Sequence, residues 1–169
     1  MTRVISYQKA LPFSTERLIE HYFDADAFDF IYQHLDLEAF KLEVLKADGR
    51  QHLRTVRITP ALDLPWWTAR ALGAKRISYL ETSSWDTNSA TIQWSLLSSV
   101  LTEKIAINGE ITLEPVDQSQ SCLNFNAQIS VSLFGVGSKV EAFIAEQLQN
   151  LQEMIYDLHI VYNIAQLRT

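Results

Sequence analysis

The sequence predicts an α+β fold: a curved antiparallel sheet of about six to seven strands wrapped around one long C-terminal helix, with two short helices after the first strand. Three observations predict it. Residues 40–133 alternate apolar and polar side chains with period two, interrupted by short turns, as in an antiparallel meander. Residues 138–166 instead place apolar side chains three and four apart, the period of a helix. Between the first strand and the meander, two capping signals cut residues 12–35 into short helical pieces.

Val4 to Leu11 reads as the first strand, and Pro12 stops it. Ser14 can accept a backbone N–H bond at the start of a helix, and Phe13 can staple onto Leu18. Asp24 or Asp26 caps a second helix with Phe28, Ile31 and Leu35 on one face. A three-residue loop, Asp48 to Arg50, sets Val56 against Leu42 and Ile58 against Phe40, matching apolar faces. Lys75 to Trp85 reads as one strand, with Ile77, Tyr79, Glu81, Ser83 and Trp85 on one side. The next strand turns Ile92, Trp94 and Leu96 inward.

Asn108-Gly109 has the composition of a hairpin turn, but parity opposes it. Ile105, Ile107, Ile111 and Leu113 share one face only if the strand runs straight through. Gly109 then lies on that face, where another backbone or side chain comes close. Leu123 to Leu133 is the clearest strand. The C-terminal helix, about 40 Å long at 1.5 Å per residue, opens with Ser138 and Glu141 as a capping box. Its outer face is acidic, with Glu141, Glu146, Glu153 and Asp157 against Lys139.

A chain of 169 residues with 47% hydrophobic and 20% charged residues forms a single domain, 1–169, whose core needs no metal or disulfide staple. The net charge of −6, without a basic stripe, argues against nucleic acid as a partner. Cys122 is the lone cysteine, which excludes an internal disulfide and a multi-cysteine zinc site. It falls on the outward side of its strand, with no activator nearby in sequence. No signal peptide or membrane-spanning run is read, so a cytoplasmic protein without stable membrane insertion is expected. His21, His34, His52 and His159 lack i, i+4 spacing, and Asp24-x-Asp26-x-x-Asp29 lacks the calcium-loop glycine; no metal and no cofactor are expected.

Two stretches carry a family resemblance. One is Leu64-Pro65-Trp66-Trp67 through Gly73, followed by Glu81 and Trp85; the other is Phe134-Gly135-Val136-Gly137-Ser138-Lys139-Val140-Glu141. With the order of elements, they resemble an uncharacterised bacterial family within the START-like (SRPBCC) superfamily. That superfamily includes lipid-transfer START domains, pollen-allergen-type proteins and aromatic polyketide cyclases. The resemblance implies the helix-grip fold and a hydrophobic-ligand cavity between sheet and helix. It carries over no catalytic residue.

Among individual residues, Glu81 stands out, because parity sets its carboxylate on an apolar face, where a charge is costly unless paired. Arg54 faces inward by the same parity. The pair can orient a polar head group, or simply be an internal ion pair. Trp66 and Trp67 occupy a connection, where they can lid a cavity, contact a membrane surface, anchor a partner or plug the rim of the sheet. Tyr79, Trp85, Trp94, Phe125 and Phe143 are the aromatic wall of the expected pocket, with core packing as the simpler reading of the tryptophans in strands. The leading expectation is a protein that binds a hydrophobic small molecule or lipid without catalysis. The alternatives are a cyclase- or hydratase-like enzyme with Glu81 as general acid/base, and an interaction module using Trp66/Trp67 or the acidic helix.

Overall fold

The computed structural model describes residues 2–169. In chain order the elements are β1 (Thr2–Leu11), α1 (Thr15–Tyr22), α2 (Ala25–Tyr32), β2 (Leu37–Asp48) and β3 (Gln51–Pro60). They continue with α3 (Trp66–Leu72), β4 (Tyr79–Asp86), β5 (Thr91–Ser98), β6 (Ile105–Pro115), β7 (Ser121–Val131) and α4 (Gly137–Leu167). The strands form one antiparallel sheet in the order β1-β7-β6-β5-β4-β3-β2. Strands β2 to β7 are therefore a meander, and β1 closes its β7 edge.

Local chemistry explains the helices before the meander. The Ser14 side chain accepts from Arg17 N at the start of α1, and Asp24 does the same for Ala27 N at the start of α2. Phe13 and Leu18 are both buried in the main core. The face of α2 carrying Phe28 and Ile31 packs with Val56, Ile58 and Ile155 in a second, smaller core.

Leu42 pairs with Val56 and Phe40 with Ile58, the expected register, but by a different device. Asp48 pairs with Gln51, so the turn has two residues rather than three. A bulge between Leu42 and Val44 supplies the missing residue at Glu43. That bulged carboxylate accepts from Arg57 Nε at 2.8 Å. β4 also begins at Tyr79 rather than Lys75; Arg76 is drawn aside by carboxylates of Glu38 and Asp63. Ile77 remains buried although it lies outside the strand.

β6 runs without a break through Asn108-Gly109. Gly109 faces the inner side of the sheet, where the Trp94 ring lies close against it: a methyl group there would sit 2.7 Å from that ring and 2.0 Å from the Asn126 carbonyl oxygen. Only a residue without a side chain fits.

α4 spans the concave face of the sheet and packs on β7, β1 and α2. Its buried stripe runs through Val140, Ile144, Leu148, Ile155, Tyr156 and His159. The expected capping box is not made. Val136 is the N-cap and makes no side-chain cap bond. Glu141 is buried instead of lying on the acidic outer face, and its carboxylate accepts from Val131 N at 3.0 Å. It thereby ties the end of β7 to the first turn of the helix. Asp157 does stay outside, where Lys9 of β1 reaches it at 2.5 Å.

Candidate functional site: an apolar cavity beside a buried polar cluster

Between the concave face and α4 lies a cavity of about 210 Å³. Its floor is Ile58, Tyr79, Leu96 and Ile107, one inward side chain from each of four consecutive strands. Its roof is Phe143, Ile144, Leu148 and Leu151, which recur at helical spacing on α4. Ile77 also lines it. Asp36, Leu62, Asn150 and Met154 line it too but are exposed, so they mark its mouth. Burial pushes the Tyr79 hydroxyl up to about 12, which keeps it protonated at neutral pH.

One row along the sheet the chemistry changes. Glu81 pairs in register with Val56 on one side and with the cavity residue Leu96 on the other. Its carboxylate meets Arg54 Nη2 at 2.5 Å, and both side chains are about 95% buried, at 6% and 5% exposure. Ser83 Oγ donates to the same carboxylate oxygen at 3.1 Å, and Tyr22 OH donates at 3.4 Å. Arg54 Nη1 donates to the Tyr22 carbonyl at 3.1 Å, and its guanidinium lies 3.9 Å from the centre of the Tyr22 ring. Hydrogen bonds and stacking make a buried ion pair tolerable in such a place. Burial raises the Tyr22 phenol well above its usual range, so it stays neutral here.

His159 of α4 stacks near this cluster, 6.4 Å from the Tyr22 ring and 6.1 Å from His21. Burial, then the neighbouring His21 and Arg54, lower its pKa to about 3. Protonation is thus far easier in the unfolded chain, whose histidines titrate near 6.5. The unfolded state binds more protons between these values, so stability is full above about pH 6.5 and falls as pH drops toward 3. His159→Phe should flatten this slope. Urea midpoints at pH 7 and pH 4.5 check it; an unchanged slope would contradict the assignment.

The structure distributes the sequence-predicted residues among separate places. Tyr79 and Phe143 line the cavity. Arg54 and Glu81, expected in the pocket, do not line the cavity; their charges pair with each other in the buried cluster one row along β4. Trp67 packs edge-on against Phe143 at 6.3 Å, and with Phe143, Trp66, Lys139 and Glu146 it lines a separate open groove. Trp66 is 77% exposed. Trp85 is half-buried between Phe23 and His52, and its indole N–H donates to the Ser89 carbonyl at 2.8 Å. Trp94 stacks on Phe125 at 5.3 Å, and Phe125 on Tyr7 at 5.1 Å, forming core away from the cavity.

Sequence reasoning did not single out Ile107, Leu148 and Leu151 of the cavity, nor Tyr22, Ser83 and His159 of the cluster. Ser83 shares the parity of Glu81, and His159 lies four residues after Ile155; both signals were legible. Among the described residues no group of His, Cys, Asp or Glu side chains could hold a metal ion. None of the helices described is long and apolar enough to cross a membrane.

Comparison with known proteins places this geometry. The aromatase/cyclase ZhuI from Streptomyces sp. R1128 is similar over 100% of this chain and 98% of its own, with a TM-score of 0.70 and 9% identity. Norcoclaurine synthase from Thalictrum flavum, solved with dopamine and hydroxybenzaldehyde, is similar over 94% of this chain and 86% of its own, with a TM-score of 0.65 and 13% identity. A START superfamily protein from Mycobacterium smegmatis is similar over 91% and 94%, with a TM-score of 0.57 and 12% identity. At such identities the likeness shows the fold, which is the START-like helix-grip fold. No curated protein matches the sequence. Residues 6–158 match the family described as protein of unknown function (DUF2505). The chain belongs to the DUF2505 family, and its cavity and buried cluster are set in a helix-grip fold.

Proposed function

We propose that this protein binds one small hydrophobic molecule in the cavity between sheet and α4, without transforming it. The supporting observation is the cavity lining: a continuous apolar floor and roof, open at one mouth, with Tyr79 offering a neutral hydroxyl. Tyr79 and Phe143 contact the ligand. The Arg54–Glu81 cluster lies outside the lining, one row along β4, and α3, through Trp67 against Phe143, gates the cavity. A cavity of about 210 Å³ is too small for a whole phospholipid. The single cysteine suits a reducing, cytoplasmic setting.

A cyclase- or hydratase-like reading with Glu81 as acid/base has one favourable observation, the adjacency of Glu81 to Leu96 of the cavity. Against it, that carboxylate is already committed to Arg54, Ser83 and Tyr22. Binding comes first in the test. Native mass spectrometry with propylbenzene and other single-ring hydrocarbons should show a one-to-one adduct. Leu151→Trp, which fills the roof, should abolish the adduct while the variant stays folded. No adduct with the natural chain, or one that survives Leu151→Trp, would contradict the proposal.

A further inference from the structure

The volume and charge of the cavity narrow the ligand, given the binding role proposed above. An apolar cavity of roughly 150 Å³ holds one benzene. A cavity of about 210 Å³ therefore takes one ring with a short substituent, or a chain of similar bulk. Such a ligand fills the apolar interior and leaves its polar end at the mouth.

At the mouth the chemistry is one-sided. Among the described residues lining the cavity, Asp36 is the only charged one, and it is exposed. Gln147 and Asn150 add carboxamides, and among the described residues no Lys or Arg lines the site. Two further carboxylates stand close in sequence to the lining, Glu38 beside Leu37 and Asp63 between Leu62 and Leu64. The nearby Arg76 is held by both of them, at 3.1 Å in the case of Asp63. Lys75 is exposed to solvent and does not line the cavity. Asp36 carries no side-chain hydrogen bond among those of the described residues; its backbone carbonyl accepts from Ala61 N at 3.2 Å. A carboxylate accepts hydrogen bonds and donates none. A ligand bearing its own carboxylate or phosphate would meet repulsion here, and one bearing an ammonium group would meet attraction.

We infer that the cavity selects a single-ring or similarly small apolar amine over the corresponding acid, with Asp36 receiving the ammonium group at the mouth. The deciding set shares one skeleton: 3-phenylpropylamine, 3-phenyl-1-propanol, 3-phenylpropanoate and propylbenzene. Binding is read by NMR titration of the Ile77 and Ile107 methyl signals, which report from inside the cavity. The amine should bind about two- to fivefold more tightly than the alcohol, the range of one exposed charge pair. The acid should bind more weakly than the alcohol. Asp36→Asn should bring amine and alcohol together and leave propylbenzene unchanged. An acid that binds as tightly as the amine, or an amine preference that survives Asp36→Asn, would overturn the inference while leaving the binding role intact. If neither propylbenzene nor the alcohol shifts these methyl signals, the binding role itself fails, and this inference with it.

Discussion

Replacing Arg54 with methionine should destabilise the protein by about 3–5 kcal/mol, because it strands the Glu81 carboxylate in the interior. The partner substitution Glu81→Leu should cost a similar amount by stranding the guanidinium. The double variant should recover most of the loss, since buried ion pairs replaced by apolar groups of like volume are often neutral in stability. The reason lies in the geometry: two nearly inaccessible groups meet at 2.5 Å. Denaturant unfolding of the four proteins closes a double-mutant cycle. Simple additivity of the two single losses would mean that the charges do not depend on each other, contrary to this arrangement. The cluster also adds Tyr22 and Ser83 as hydrogen-bond partners of Glu81. The double variant leaves these hydroxyls with one another at 2.8 Å, which is why recovery is expected to be large.

The second large effect is expected at Gly109→Ala, a loss of about 3 kcal/mol, at the upper end of overpacking costs. A methyl group there would lie 2.0 Å from a main-chain oxygen of β7 and 2.7 Å from Trp94. Neither neighbour can yield easily. The oxygen belongs to a paired strand, and Trp94 is buried and stacked on Phe125. The exposed neighbour Asn108→Ala should change stability by less than about 0.5 kcal/mol, as surface substitutions usually do. Thermal or chemical unfolding separates the two. A Gly109→Ala protein as stable as the natural one would mean that the sheet can open between β6 and β7.

Gly109 also shows what kind of information the sequence carries. The parity of Ile105, Ile107, Ile111 and Leu113 favours a straight strand over the hairpin that Asn108-Gly109 suggests, because four positions share one face only without a turn, and β6 runs straight through. The same parity placed Arg54 and Glu81 on the inner face, and their ion pair follows from adjacent strands. Register was less secure. The right partners for Val56 and Ile58 arise from a bulge at Glu43, and a bulge has no compositional signature as strong as a turn's. Ser138 and Glu141 fit a capping box by spacing alone. In the folded chain, the Val131 N–H at the end of β7 donates to that carboxylate instead. That bond is tertiary and invisible in a local motif.

The site was legible in part for a similar reason. Alternation tells which side chains point inward, not where they fail to meet. Trp94 and Phe125 close on each other and on Gly109, whereas Ile58, Tyr79, Leu96 and Ile107 leave a gap beneath α4. Residues of one periodic face thus divide into packed core and cavity wall according to side-chain volume and helix height. The Trp66–Trp67 pair divides likewise: one ring leans on Phe143 at the cavity wall and the other is mostly in solvent.

The central claim, that the space between sheet and helix is a binding site, is tested most directly by where a heavy-atom ligand settles. Crystals grown with 4-bromotoluene should give one strong anomalous bromine peak between Ile107 and Leu148, inside the cavity. Bromine found only outside it, for example in the Trp66 groove, or a cavity that stays empty at saturating ligand, would contradict the account.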